Sequence, residues 1–258
     1  MAEVDFEVEH HVARITINRP ERRNAMSFDV MRMLRDAVDR VADDESVNVA
    51  VLTGAGDRAF SAGADLGGMG TNSSAVEAHE ARGLLAEVFR SLWRLEKPTI
   101  ARVRGFALAG GFGLAMACDF VIASDDAQFG TPEIDVGLWP YMITVPLLRS
   151  MPQRFALELM ATGRRVGAEE AARVGFVNRV VPVDELDANV DGLAKNLASK
   201  SPLILGWGKR SFYRTLQMNT DAALDYLQGM LTLTTLSRDS AEGIAAFAEK
   251  RKPEWRGH

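Results

Sequence analysis

Residues 98–103, Pro98-Thr99-Ile100-Ala101-Arg102-Val103, lead almost directly into Gly105-Phe106-Ala107-Leu108-Ala109-Gly110-Gly111, and this junction decides the fold. The first segment reads as a buried strand. The second is a turn of small residues whose glycine pair opens a helix running towards Cys118. A similar passage lies upstream. Residues 47–53 form a valine-rich strand, Phe60-Ser61-Ala62-Gly63-Ala64-Asp65-Leu66 sits within a glycine-rich loop over 54–70, and Leu84, Leu85, Val88, Leu92 and Leu95 mark a helix over 81–95.

Working outward, residues 4–8 and 12–17 alternate apolar and polar side chains, as two half-buried strands joined at His10-His11 would. A polar loop, Asn18 to Asn24, precedes Ser27, which can cap a helix carrying Phe28, Met31, Leu34, Val38 and Val41. On the other side, 120–123 reads as a strand and Gln128-Phe129-Gly130 as a short extended piece. From about Tyr141 the pattern is helical, with one break at 177–183. Strands alternating with helices, followed by helices alone, predict an α/β core with a helical tail.

Composition narrows the function classes. The chain has 258 residues, 47% apolar and 25% charged, with a net charge of −5, which disfavours non-specific nucleic-acid binding. A single cysteine, Cys118, excludes an internal disulfide and fits a reducing, cytoplasmic compartment. The acidic first residues do not read as a secretory signal. The apolar run over 105–123 is cut by Asp119 and is too short to span a membrane. His10, His11, His79 and His258 lie at no metal-ligand spacing, so no metal is expected. Ser61 lacks the first glycine of a nucleophile elbow, no glycine cluster leads into Lys-Ser or Lys-Thr, and Gly110-Gly111-Phe112-Gly113 fails the dinucleotide spacing.

Two small-residue turns and one carboxylate remain. Small residues let a ligand approach the backbone, and amides at a helix start are unpaired and partly positive. Two such amides converging on one oxygen make an oxyanion hole, in which each donor contributes about 3 kcal/mol to a transition state. Glu133, in Phe129-Gly130-Thr131-Pro132-Glu133-Ile134, follows a proline and has apolar neighbours. Partial burial there would raise its pKa towards the range useful to a general acid/base.

Together these residues resemble the crotonase superfamily of enoyl-CoA hydratases and isomerases. The resemblance runs through Ile17-Asn18-Arg19-Pro20, Asn24-Ala25-Met26, Leu52-Thr53-Gly54, 60–66, 105–119 and 128–134, and ends in Glu242-Gly243 and Phe247-Ala248-Glu249-Lys250-Arg251-Lys252. It implies an α/β, crotonase-like core of repeated ββα turns over 1–200, binding acyl-CoA. A C-terminal helical region over 201–258 would pack subunits into trimers, or hexamers as dimers of trimers. No cofactor is implied, since coenzyme A enters as part of the substrate, and neither nucleic acid nor membrane is an expected partner. By position, the amides of Ala64 and Gly110 would hold the thioester oxygen. Ala62, Asp65, Leu66 and Gly111 would line the substrate site, with the adenine near Ala62 and Leu66. Arg22 or Arg23 would reach phosphates, as would Lys250, from a neighbouring subunit with Phe247 beside it. Glu133 would carry the proton.

The sequence departs from the family where water would be handled. Hydratases of the family use two glutamates, and the first aligns with Gly113. Trp139 and Tyr141, expected to line the substrate site, also put bulk where water or the acyl chain would sit, in a stretch where relatives have glycine after the proline. A lone Glu133 suits double-bond isomerisation, with hydration by Glu133 alone and non-catalytic acyl-CoA binding as alternatives. Hydrolysis or decarboxylation of a thioester is a further option on this scaffold. Asp65 or Tyr141 is a candidate for the second proton carrier.

Overall fold

The N-terminal alternation folds as a hairpin. β1 (Val4–Glu9) pairs antiparallel with β2 (Val12–Ile17), and the two-residue turn His10-His11 has positive φ at both positions, 49° and 65°. That is the conformation whose twist matches the flanking strands. The computed structural model describes residues 2–65 and 74–257. In β2, Ala13, Ile15 and Ile17 are buried and the residues between them are half-exposed, so the period of two holds. α1 (Phe28–Asp43) starts where Val30 N donates to Ser27 Oγ, and it buries Val30, Met31, Leu34, Ala37, Val38 and Val41.

The larger sheet has the order β1-β2-β3-β5-β7-β10, with β3 (Val49–Gly54), β5 (Thr99–Val103), β7 (Phe120–Ser124) and β10 (Arg179–Val181) all parallel. Every residue of β3 is buried, as a parallel strand covered on both faces requires. Val49 and Val51, with Ile100, Ile122 and Val181, face Leu186, Val190 and Ala194 of α7 (Leu186–Ala198). Ala50 and Leu52 face the main core, built with α1, α2 (Ala75–Arg94) and α3 (Gly110–Ala117).

A second sheet, β4-β6-β8-β9, holds the short strands β4 (Ala59–Ser61), β6 (Phe106–Leu108), β8 (Gln128–Gly130) and β9 (Arg165–Gly167). The first three are parallel and β9 is antiparallel to β8. The chain crosses from the large sheet to the small one and then enters a helix: β3–β4–α2, then β5–β6–α3. β7–β8 repeats the crossing and enters a 3-10 turn followed by α4 (Thr144–Ser150). The core of repeated ββα turns is therefore present. Gly105 makes one of the crossings. Its φ is +63° and a Cβ there would lie 2.2 Å from Arg58 O, so only glycine fits.

Several elements differ from the sequence reading. β4 lies inside the stretch read as loop, and β6 and β9 were not expected. Three-residue strands are too short to show a period. α2 begins at Ala75 rather than 81, because Ser74 and Glu77 form a reciprocal capping box ahead of the apolar positions.

After α5 (Gln153–Thr162), α6 (Ala168–Val174) and α7, the chain ends in α8 (Pro202–Thr215), α9 (Thr220–Thr235) and α10 (Arg238–Ala248). α8 is fastened to the core at Asp119, just beyond α3. Thr99 N and Oγ1 donate to Asp119 Oδ2, Tyr213 Oη donates to Oδ1 at 2.7 Å, and buried Lys209 pairs with Oδ2 at 2.7 Å. The Lys209 ammonium also donates to the carbonyls of Leu92 and Lys97. Neighbouring Cys118 is wholly buried, which pushes its thiol up to about 12 and leaves it unreactive. By contrast α9 buries none of its residues, and Leu224, Leu231, Leu236, Ile244 and Phe247 of this region are exposed on the single chain. Among the described residues no helix is long and apolar enough to cross a membrane.

Candidate active site

Three parallel strands of the small sheet, β4, β6 and β8, bring the candidate residues together. Ala64 follows Ser61 by three residues, Gly110 follows Leu108 by two, and Glu133 follows Gly130 by three. Neighbouring strands stand about 4.8 Å apart, so their C-terminal ends set these residues across about 10 Å. The outlet of parallel strands is where α/β folds commonly place ligands.

The first turn is braced by the polar loop before α1. Ala62 N donates to Arg23 O at 2.9 Å, Met26 N to Gly63 O at 2.7 Å, and Asp65 N to Met26 O at 2.9 Å. Buried Asn24 holds the loop itself, donating to Ala55 O and Ala59 O and accepting from Arg19 N. In an extended segment successive N–H groups point to opposite sides. Asp65 N points at Met26, so Ala64 N points the other way and has no acceptor among the described residues.

The second turn stands on that side. A Cβ built on Gly110 would lie 3.7 Å from Ala64 N, and one built on Gly63 would lie 3.1 Å from Gly110 N. Gly110 is the first residue of α3, where the amide has no partner inside the helix, and it too has no acceptor among the described residues. The residue before it, Ala109, has φ 50° and ψ −129°, a region that costs a side chain about 1–3 kcal/mol. Ala109 N donates to Gly130 O at 2.9 Å, and its Cβ would be 2.6 Å from a Cβ on Gly63, whose φ is +97°. The two turns are thus interlocked, with strain held at the residue that aims the Gly110 amide.

Glu133 lies in a 3-10 turn over Pro132–Val136. Pro132 starts the turn, and Gly137, at φ 76°, ends it with its N–H on the carbonyls of Glu133 and Ile134. Leu138 N also donates to Glu133 O, and buried Thr131 Oγ1 donates to Leu159 O, tying the turn to α5. The carboxyl is half-buried, and Oε2 has no hydrogen-bond partner among the described residues. Burial pushes the group up to about 7, against a smaller opposing effect from its own backbone N–H.

The remaining sequence candidates fall into separate places. Asp65 is taken up by ion pairs, at 3.1 Å to Arg19 and 3.2 Å to Arg22. Burial alone would raise its carboxyl, but the hydrogen bonds and charge of Arg19 and Arg22 outweigh burial and hold it below the usual range. That suits a brace and not a proton carrier. Arg22 is exposed beside it, and Arg23 is exposed in left-handed backbone, its carbonyl holding Ala62. The smallness of Gly111 serves packing, since a Cβ there would lie 2.3 Å from Ser61 O. Ser61 itself is buried and donates to Asn24 O. Tyr141 is 74% exposed, and Trp139 is half-buried against the core. Phe247 and Lys250, at the end of α10, are exposed on the single chain. Leu66 lies outside the described residues. Three surface grooves, of about 860, 530 and 370 Å³, are lined by other residues than these.

Sequence reading missed the apolar walls. Leu85 of α2 and Met26 stand 3.2 and 3.3 Å from a Cβ placed on Gly110. Ile143 and Phe89 crowd Gly113, where a Cβ would lie 2.3 Å from Ile143 Cγ2 and 3.0 Å from Phe89 Cζ. The glycine at 113 was visible in the sequence; its occupant was not. Among the described residues, no three His, Cys, Asp or Glu side chains are grouped so as to hold a metal.

Comparison with known proteins agrees with this architecture. The family model "Enoyl-CoA hydratase/isomerase" matches residues 7–258. The chain is 40% identical to crotonyl-CoA hydratase of Syntrophomonas wolfei over 248 residues, covering 96% of this chain and 95% of that protein. It is 38% identical to carnitinyl-CoA dehydratase of Escherichia coli over 251 residues, 95% of each. Its fold superposes on the crystal structure of an enoyl-CoA hydratase of Mycobacterium smegmatis with a TM-score of 0.94, at 33% identity and 99% coverage of both chains. With a family model matching nearly end to end and relatives this similar over their full length, the chain belongs to the enoyl-CoA hydratase/isomerase family.

Proposed function

We propose that the thioester carbonyl of an acyl-CoA sits between the amides of Ala64 and Gly110, and that Glu133 moves the proton at C2. Two fixed, unpaired N–H dipoles suit an oxygen that gains charge as the proton leaves, because they need no reorganisation. A carboxyl near neutrality can take the proton as carboxylate and return it as acid. The observation carrying this reading is the adjacency of two amides without an acceptor among the described residues, on strand outlets next to the one that leads to Glu133.

Isomerisation of a 3-enoyl thioester needs no further group. Glu133 removes a proton from C2, the negative charge rests on the thioester oxygen, and the proton returns at C4 to give the 2-enoyl thioester. We favour this because position 113 offers no second carboxylate and its space is filled by apolar groups. The names of the relatives, hydratase and dehydratase, favour a second reading. In it Glu133 alone positions the water that adds at C3 and delivers the proton to C2.

Arg22 or Arg23 extends this reading to the coenzyme A phosphates, with the adenine near Ala62. The exposed apolar residues of α9 and α10 support a homotrimer or hexamer, which would bring Phe247 and Lys250 of one copy towards another copy's site. The deciding experiment gives wild-type and Glu133→Gln protein 2-enoyl and 3-enoyl thioesters and identifies the products by mass. Isomerisation lost in Glu133→Gln is expected. Efficient hydration abolished by that change, with no isomerisation by the wild type, would defeat the preference. Tight binding without any product would establish a non-catalytic acyl-CoA binder.

A further inference from the structure

Gly113 lies one helical turn after Gly110 on α3, so the two share a face, and any side chain at 113 would lean towards the helix start and the Gly110 amide. That space is already filled. A Cβ at 113 would lie 2.3 Å from Ile143 Cγ2, 2.7 Å from Ile143 Cβ and 3.0 Å from Phe89 Cζ. Phe89 follows Leu85 by one turn of α2, so a single apolar face, Leu85 and Phe89, runs along Gly110 and Gly113. Ile143 and Phe89 are each only 2% exposed. The backbone of Ile143 is held from both sides, since Thr144 N donates to Pro140 O and Leu147 N to Ile143 O.

We propose that Ile143 sets the reaction choice of this chain. It occupies the seat that a second acid/base on α3 would need and turns the surroundings into an apolar wall. A bound enoyl thioester is thereby steered to proton transfer and away from water addition. The inference rests on the reading of Ala64, Gly110 and Glu133 given above. Its physical basis is that an ordered water needs two to four polar partners, and Ile143 and Phe89 supply none. Hydration adds a water hydroxyl at C3 and a proton at C2, so it is the step that loses its co-reactant. Isomerisation only relocates one proton and keeps its full complement.

The geometry also states what would reverse the choice. Gly113→Glu alone meets Ile143. Adding Ile143→Ala still leaves a Cβ 2.7 Å from the new one, so only Ile143→Gly makes room, leaving Phe89 Cζ at 3.0 Å to give by a few tenths of an ångström. The test compares wild type, Gly113→Glu, Ile143→Gly, Gly113→Glu/Ile143→Ala and Gly113→Glu/Ile143→Gly. Each is assayed for melting temperature, for ¹⁸O uptake from water into crotonyl-CoA, and for Glu133-dependent deuterium exchange at C2 of butyryl-CoA. The expected result is a gain in hydration of about 10²-fold in Gly113→Glu/Ile143→Gly alone. Its melting temperature should also recover relative to Gly113→Glu, whether or not the latter folds. A folded Gly113→Glu that hydrates as well as the double variant would overturn the proposal. So would a folded double variant that exchanges C2 but hydrates no faster than wild type. If wild type shows no Glu133-dependent exchange, the underlying reading fails and this proposal falls with it.

Discussion

Glu133→Gln should stabilise the protein at alkaline pH while it abolishes proton transfer. The carboxyl moves from its ordinary 4.5 in the unfolded chain to about 7 in the folded one, because burial disfavours its charge. A raised folded value means the folded state holds the proton more tightly. The associated stability is fully present below about pH 4.5 and is lost as pH rises through about 7. At 1.36 kcal/mol per pH unit, ionising this buried group costs the fold about 3 kcal/mol, of which about 2–3 kcal/mol is lost between pH 5 and pH 8. Glutamine occupies the same volume and never ionises. The difference in stability between variant and wild type should therefore shift in the variant's favour by about 2–3 kcal/mol from pH 5 to pH 8, or about 6 °C in melting temperature. Comparing the two proteins cancels every other titrating group, and a fixed protein concentration removes any effect of assembly. The same ionisation should appear in catalysis, with kcat/KM for C2 exchange rising through about pH 7 as the carboxylate forms. Melting curves that shift in parallel for both proteins across that range would refute the argument.

Gly63→Ala places a Cβ 2.6 Å from that of Ala109 and 3.1 Å from Gly110 N, at a φ of +97°, so C2 exchange should fall by about 10²–10³-fold. Activity within threefold of wild type would show that the interlocked turns do not aim the amides. Asp119→Ala leaves buried Lys209 without its counter-charge and frees Tyr213 Oη, and a loss of about 3–5 kcal/mol should appear in urea unfolding. A loss below 1 kcal/mol would mean α8 is not fastened there. Asp65→Asn should lower stability but leave the pH profile of C2 exchange in place, because Asp65 is committed to Arg19 and Arg22; a lost ionisation in that profile would restore it as a proton carrier.

How far the sequence could be read depended on the length over which each physical signal acts. The hairpin, α1 and the strands over 47–53 and 98–103 carry five or more residues of period or burial, and each appears where expected. β4, β6 and β9 carry three residues each, and their partners come from remote parts of the chain, so nothing local marks them. The small sheet is nonetheless what sets two turns and a carboxylate on neighbouring strand outlets. Ala64, Gly110 and Glu133 are legible singly as small-residue turns and a proline-led glutamate. Their placement at neighbouring strand ends depends on the parallel pairing of β4, β6 and β8, which is set by tertiary contacts.

Position 113 shows the same divide from the other side. A glycine in the first turns of a helix reads as a lost side chain, and from that alone the space beside it would be open to water. The fold closes it with Ile143, thirty residues on and outside the motif, whose backbone is fixed by the turn entering α4. The glycine and the isoleucine are therefore coupled in one direction, because no side chain can be added at 113 without Ile143 giving way. If Ile143 sets the reaction choice as proposed, that pair and not Gly113 alone governs the chemistry. A single reversion should therefore cost stability before it yields any new reaction.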